Sequence, residues 1–185
     1  MRLNLGCGYN KRQGWTNVDR SAACNPDQLV DLESFPWPWE ANTIDEIMLN
    51  HVLEHLGATT ESYIGIIKEI WRVCRNAATV TIVVPHPRHD DFLGDPTHVR
   101  PVTAPGLELF NRKLNDLWIR GGFANTPLAI YHGVDFEITA AEMRLDEPWS
   151  SDLEQGKIDQ AAVAQAARRF NNVIKEQHFI LKVIK

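Results

Sequence analysis

Leu3-Asn4-Leu5-Gly6-Cys7-Gly8 is the stretch on which the reading of this 185-residue chain turns. Leu3 and Leu5 flank a polar residue and run directly into a Gly-x-Gly sequence, the pattern of a short buried strand that ends in a tight turn. Glycines at a strand end let backbone N–H groups approach a ligand, because no Cβ intervenes. Such a turn is common by itself, and the dinucleotide fingerprint asks for a third glycine where this chain has Lys11. Two acidic strand ends give the turn its meaning. Thr16-Asn17-Val18-Asp19 and Leu29-Val30-Asp31-Leu32 are further short strand candidates, each carrying an aspartate at its end. A carboxylate at the tip of the second strand can accept from both hydroxyls of a ribose, and one at the tip of the third from an exocyclic adenine amine. In an open α/β sheet, ligands bind along the carboxyl ends of the strands, so the glycines, Asp19 and Asp31 would line one edge.

Outward from that core, Ile44 to Leu49 resumes a strand, whereas Phe35-Pro36-Trp37-Pro38-Trp39 excludes regular structure because its prolines remove donors and restrict their neighbours. Tyr63, Ile66, Ile67, Ile70, Trp71 and Cys74 repeat with helical spacing and predict a helix over 60–75, capped by Thr59 or Thr60. Thr79 to Val84 is β-branched and reads as a central strand. This alternation predicts a parallel α/β sheet. Further on, Leu107, Phe110, Leu114, Leu117 and Trp118 predict an amphipathic helix, and Val134, Phe136 and Ile138 a strand that can run to Leu145. The alanine-rich stretch Asp152 to Phe170 predicts a helix and His178 to Ile184 a closing strand. The connection from Gly8 to Thr16 is shorter than the dozen or so residues of a usual parallel crossover, so a full first helix is not expected.

Residues 3 to about 112 resemble the class I S-adenosylmethionine-dependent methyltransferases, most of all short bacterial and phage-type members. The resemblance rests on Leu3 to Gly8, Gly14-Trp15-Thr16-Asn17-Val18-Asp19, Asp31-Leu32, and Ile44-Asp45-Glu46-Ile47 leading into His51-Val52-Leu53-Glu54-His55. Asp95-Pro96-Thr97-His98-Val99-Arg100 and Leu109-Phe110 extend it. It implies a Rossmann-like sheet, mostly parallel, with an antiparallel strand near the C-terminus and a minimal N-terminal region. It also implies S-adenosylmethionine as cofactor. Asn4, Gly6, Cys7 and Gly8 would wrap its methionine part, Asp19 its ribose, and Asp31 and Leu32 its adenine. Asn50 and His51 would pass beside its amino group and the incoming substrate. Many relatives carry Asp or Glu where this chain has Asn4.

Five of the seven histidines fall between residues 51 and 98. A neutral histidine at the acceptor end of the cleft could take a proton as the methyl group arrives, and His98, His51 and His89 are the candidates. Two competing readings place a metal here. His51-Val52-Leu53-Glu54-His55 matches the inverted zinc-protease pattern H-x-x-E-H, which on a helix would set two histidines on one face with Glu54 as base. Alternatively, His86, His89 and nearby carboxylates could hold a divalent cation. The chain is expected to use neither, and no metal ligand is assigned. A non-catalytic domain that binds the cofactor is a third reading.

The length suffices for one core and not for two full domains, so residues 1–185 are expected to form one domain. Residues 1–85 would be its cofactor half and 86–185 its substrate half. A net charge of -5 argues against a nucleic-acid substrate, as does the absence of the Asn/Asp-Pro-Pro-aromatic tetrapeptide of amino-methylating DNA enzymes. Three unpaired cysteines, no signal-peptide pattern and no apolar run of membrane-spanning length point to a cytoplasmic protein with no membrane partner. The expected reaction is O- or N-methylation of a small molecule or glycan.

Overall fold

The computed structural model describes residues 1–185 and contains a seven-stranded sheet. In chain order the strands are β1 (Arg2–Leu5), β2 (Thr16–Asp19), β3 (Gln28–Leu29), β4 (Ile44–Asn50), β5 (Cys74–Pro85), β6 (Phe136–Leu145) and β7 (Ile174–Val183). They lie side by side as β3-β2-β1-β4-β5-β7-β6. The first five are mutually parallel, and β7 alone is reversed, pairing antiparallel with β5 on one side and β6 on the other. This is the Rossmann-like sheet with one antiparallel C-terminal strand that the sequence predicts. The carboxyl ends of β1, β2, β4 and β5 consequently share one edge.

Leu3, Leu5, Val18, Ile47, Leu49, Val80, Ile82 and Phe179 are buried along the strands of this sheet. Helix α1 (Thr60–Val73) packs Ile66, Ile67, Ile70 and Val73 into the same core. Thr59 accepts the amide of Ser62 at 3.2 Å, as the sequence predicts for an N-cap. Trp37 and Trp39 are buried core residues in edge-to-face contact, with Glu69 and Arg72 satisfying the backbone around them. They form no aromatic clamp for a substrate.

No helix joins β1 to β2. Residues 6–15 are held instead by two buried asparagines. Asn4 donates to the Asn10 carbonyl at 3.0 Å and to Asn17 Oδ1 at 2.9 Å; Asn17 Oδ1 also accepts from Arg12 N at 2.7 Å. A polar knot stands where a crossover helix would bury apolar side chains.

Several predicted elements differ in extent, among them β5, which begins at Cys74, and β7, which begins at Ile174. The third strand stops at Leu29, because the Asp31 side chain accepts from Glu33 N at 3.0 Å and turns the chain. The helix expected over 107–118 is two: α3 (Ala104–Glu108) and α4 (Arg112–Gly121), after the short α2 (Asp90–Leu93). Asn111 starts α4 by accepting from Leu114 N and anchors its own amide on the Phe136 carbonyl, both at 2.8 Å. After α5 (Leu128–His132), the helix expected over 152–170 is likewise divided into α6 (Trp149–Glu154) and α7 (Gln160–Arg169). Gly156 has φ +69°, and Asp159 caps the second helix at Ala162 N. No helix is long and apolar enough to cross a membrane.

Candidate functional site

At the carboxyl edge, a cleft of about 200 Å³ opens between the ends of β1, β2 and β4. Gly6, Asp19, Asp31, Leu32 and His51 all line it, together with Val30, Val52, His55 and Leu56. The glycine turn forms one wall. Gly6 has φ +61°, and a Cβ there would lie 2.6 Å from both Val52 methyl carbons, so no other residue fits without displacing the chain after β4. Gly8, at φ +48°, faces open space, and its amide donates to Asp19 Oδ2 at 2.8 Å. Asp19 Oδ1 accepts from Ser21 N at 2.8 Å. Each carboxylate oxygen has a further lone pair, so Asp19 can brace the turn and still accept from a ligand. Val30, Leu32, Val52 and Leu56 give the same cleft apolar surface suited to a flat ring.

The opposite wall carries histidines. His51, at φ +54° just past β4, places Nε2 2.9 Å from Glu176 Oε1 of β7 and Nδ1 3.4 Å from Glu54 Oε1. The Glu54 carboxylate, and after it Glu176, hold the ring's pKa above its ordinary value against the opposing effect of burial. His55, in the short 3-10 turn Leu53–His55, sets Nδ1 2.9 Å from Thr97 Oγ1. Glu54 in the same turn is 1% exposed, and neither of its oxygens makes a hydrogen bond.

Several sequence-predicted residues lie elsewhere. Asn4 is buried beneath the β1–β2 loop and serves as its tether. Cys7 is buried, which raises its thiol pKa, and does not line the cleft; Asn50 is exposed beside it. His89 lies away from the cleft: it is 4% exposed, caps α2 by accepting from Asp91 N at 3.0 Å, and places Nε2 3.0 Å from Asp146 Oδ2. Both ring nitrogens are occupied, so it has no atom to offer a substrate. His98 also stays off the cleft surface, with Nδ1 on the Phe92 carbonyl and its ring 4.5 Å from that of His55. The zinc-protease arrangement does not form, since His51 lies outside the turn that carries His55 and bonds to Glu176. Nor do His86 and His89 converge on a cation: each Nδ1 accepts a backbone amide, of Arg88 and Asp91 respectively. Sequence reading misses Glu176, which reaches the site from β7 and has no local signal. It also misses that Glu54, His55 and His98 come together, with one ligand atom of each within 4.8 Å of the others.

No protein-family model matches the chain, and no curated protein matches it by sequence. Its structure is similar to that of a SAM-dependent methyltransferase from Archaeoglobus fulgidus, at 17% identity and a TM-score of 0.65 over 98% of this chain and 85% of that one. A SAM-dependent methyltransferase from Methanosarcina mazei matches at 14% identity and a TM-score of 0.56, over 99% and 92%. The [4+2]-cyclase SpnF matches at 16% identity and 0.55, over 99% and 75%. The chain has the class I S-adenosylmethionine-dependent methyltransferase fold.

Proposed function

We propose that this chain is an S-adenosylmethionine-dependent methyltransferase that methylates an oxygen or nitrogen of a small molecule or glycan. The observation that carries the reading is the cleft itself: a left-handed Gly6 fitted against Val52, with Asp19 and Asp31 on successive strand ends. Those residues suit the cofactor. Gly6 to Gly8 offer close backbone approach to its methionine part. The lone pairs of Asp19 not used by Gly8 and Ser21 can accept from ribose hydroxyls. Asp31 can accept from the adenine amine, and Val30, Leu32 and Leu56 provide apolar contact for the ring. Asp19 and Asp31 give the cleft two carboxylates beside the Arg20 side chain, which also lines it.

When bound, the cofactor supplies a methyl group already activated on a sulfonium. The protein's task is then chiefly to align the acceptor. His51 is the one of the three histidines singled out from sequence that lines the cleft. Its pKa is raised above the ordinary value and its Nε2 is held by Glu176, which suits it to position an electronegative group of the acceptor. Leu32 and Val52 are buried apolar residues of the cleft lining.

Because a cyclase shares the fold, binding and transfer are tested separately. Calorimetric titration should show saturable binding of both S-adenosylmethionine and S-adenosylhomocysteine; binding of neither at millimolar concentration removes the reading. Transfer of a labelled methyl group to a panel of hydroxyl and amine acceptors should then separate an enzyme from a cofactor-binding domain.

A further inference from the structure

We propose that Glu54, His55 and His98 form a binding site for a divalent transition-metal ion in the wall of the cleft. The three bring one ligand atom each to within 4.8 Å of the others, and their remaining hydrogen bonds leave only lone pairs to face one another. Thr97 gives its hydroxyl proton to Asp95, Oγ1 to Oδ1 2.6 Å, so its oxygen accepts from His55 Nδ1. The neutral His55 ring therefore carries its proton on Nδ1 and a lone pair on Nε2. His98 is fixed in the same tautomer, since the Phe92 carbonyl 2.8 Å from its Nδ1 can accept and cannot donate. Glu54 completes the set with a carboxylate that is 1% exposed and without a hydrogen-bond partner.

Converging acceptors with no donor among them are costly to bury unless a cation lies between them. The surroundings place a single cationic group, His51, near Glu54 and none between the three ligand atoms. Arg100 spends its guanidinium on the Gly57 carbonyl and the face of Tyr63. Asp95 Oδ2, 3.8 Å from His98 Nε2, adds negative charge. The one cationic group near Glu54 is His51, whose Nδ1 stands 3.4 Å from Oε1 without hydrogen-bond geometry and whose Nε2 is committed to Glu176.

The outer partners are those of a metal site. Ligand histidines are oriented by giving the second ring N–H to a carbonyl or carboxylate, here the Phe92 carbonyl directly and Asp95 through Thr97. Two imidazoles and one carboxylate suit Zn²⁺, Fe²⁺, Co²⁺ or Mn²⁺, not the all-oxygen preference of Mg²⁺ or Ca²⁺. Three protein ligands leave a coordination position open, and His55 places the ion beside the cleft. The ion would also clip the 95–100 segment to the turn after β4. This assignment differs from H-x-x-E-H: His51 is not a ligand, Glu54 is a ligand rather than a base, and His98 comes from outside the motif. It stands on side-chain geometry and is independent of methyl transfer.

The test uses the metal-stripped full chain. Co²⁺ should give visible ligand-field bands that saturate at one equivalent and are displaced by Zn²⁺, while Mg²⁺ produces no comparable binding by calorimetry. Glu54→Gln and His55→Gln should each abolish the bands and weaken Zn²⁺ binding at least about tenfold, and His51→Gln should keep both. Circular dichroism checks the fold; if Glu54→Gln does not fold, the half-buried His55→Gln carries the test. Absence of saturable Co²⁺ and Zn²⁺ binding in the parent chain overturns the site. So does binding that survives His55→Gln, or that His51→Gln removes equally.

Discussion

On the glycine wall of the cleft, Asp19 receives the amides of Gly8 and Ser21 at 2.8 Å each; on the histidine wall, Glu54 receives no donor at all. Both carboxylates sit at or just past the ends of parallel strands. The first is part of a wall already complete in the protein alone, rigid because backbone and side chain fix each other. The second makes no hydrogen bond and faces the His51 ring at 3.4 Å. A cleft can thus hold one ligand by preorganisation and be finished by another.

The contrast can be broken most severely at Gly6. Gly6→Ala forces a Cβ into Val52 at a left-handed backbone position, and unfolding free energy should fall by about 2–5 kcal/mol, read from denaturant midpoints. A loss under about 1 kcal/mol would show that this wall yields easily. Asp19→Ala comes next. It strips two amides of a charged acceptor and should weaken S-adenosylhomocysteine binding by about 1.5–3 kcal/mol in calorimetry. Unchanged affinity would mean that the ribose lies elsewhere.

Glu54→Gln, in metal-free protein, should have a smaller effect than Asp19→Ala. Replacing a buried carboxylate that makes no hydrogen bond by a neutral amide relieves its desolvation and forfeits only its 3.4 Å attraction to His51, so where the variant folds stability should change by no more than about 1 kcal/mol. A clear loss would reveal a partner for Glu54 and erase the difference between the walls.

The smallest effect concerns His89, a histidine that belongs with the satisfied groups. Its hydrogen bond holds the Asp146 carboxyl below the ordinary carboxylate range, more than offsetting burial. A depressed folded pKa stabilises above the unfolded value, near about 3.9, and that contribution disappears as pH falls through the folded value. The stability gap between the parent chain and Asp146→Asn should therefore be steady at neutral pH and close on acidification. A gap that persists at low pH would show that packing, not charge, sets it.

Legibility in the sequence divides along the same two walls. Gly6, Asp19 and Asp31 are legible because a strand end, a glycine and a carboxylate are local signals whose meeting place the parallel topology dictates. Asn4 ties down the β1–β2 loop for a physical reason: where the loop is too short for a helix, a polar residue inside β1 holds the turn through Asn10 and Asn17. The histidine wall resists reading because its partners are far apart in the chain. Glu176 reaches His51 across 125 positions, and His98 meets His55 through a segment with little regular structure. The division of the alanine-rich stretch turns on Gly156 and Asp159, whose stop and start signals are outweighed by composition when the sequence is read alone.

The central claim is that this cleft, and no other concavity, takes S-adenosylmethionine. Backbone-amide NMR of the full chain titrated with S-adenosylhomocysteine tests it most directly. The largest shifts are expected at Gly6, Gly8, Asp19, Asp31, Leu32 and His51, with little change in the separate groove that Leu128 and His132 of α5 form with Tyr63 and Arg100. No shifts, or shifts concentrated in that groove, would contradict it.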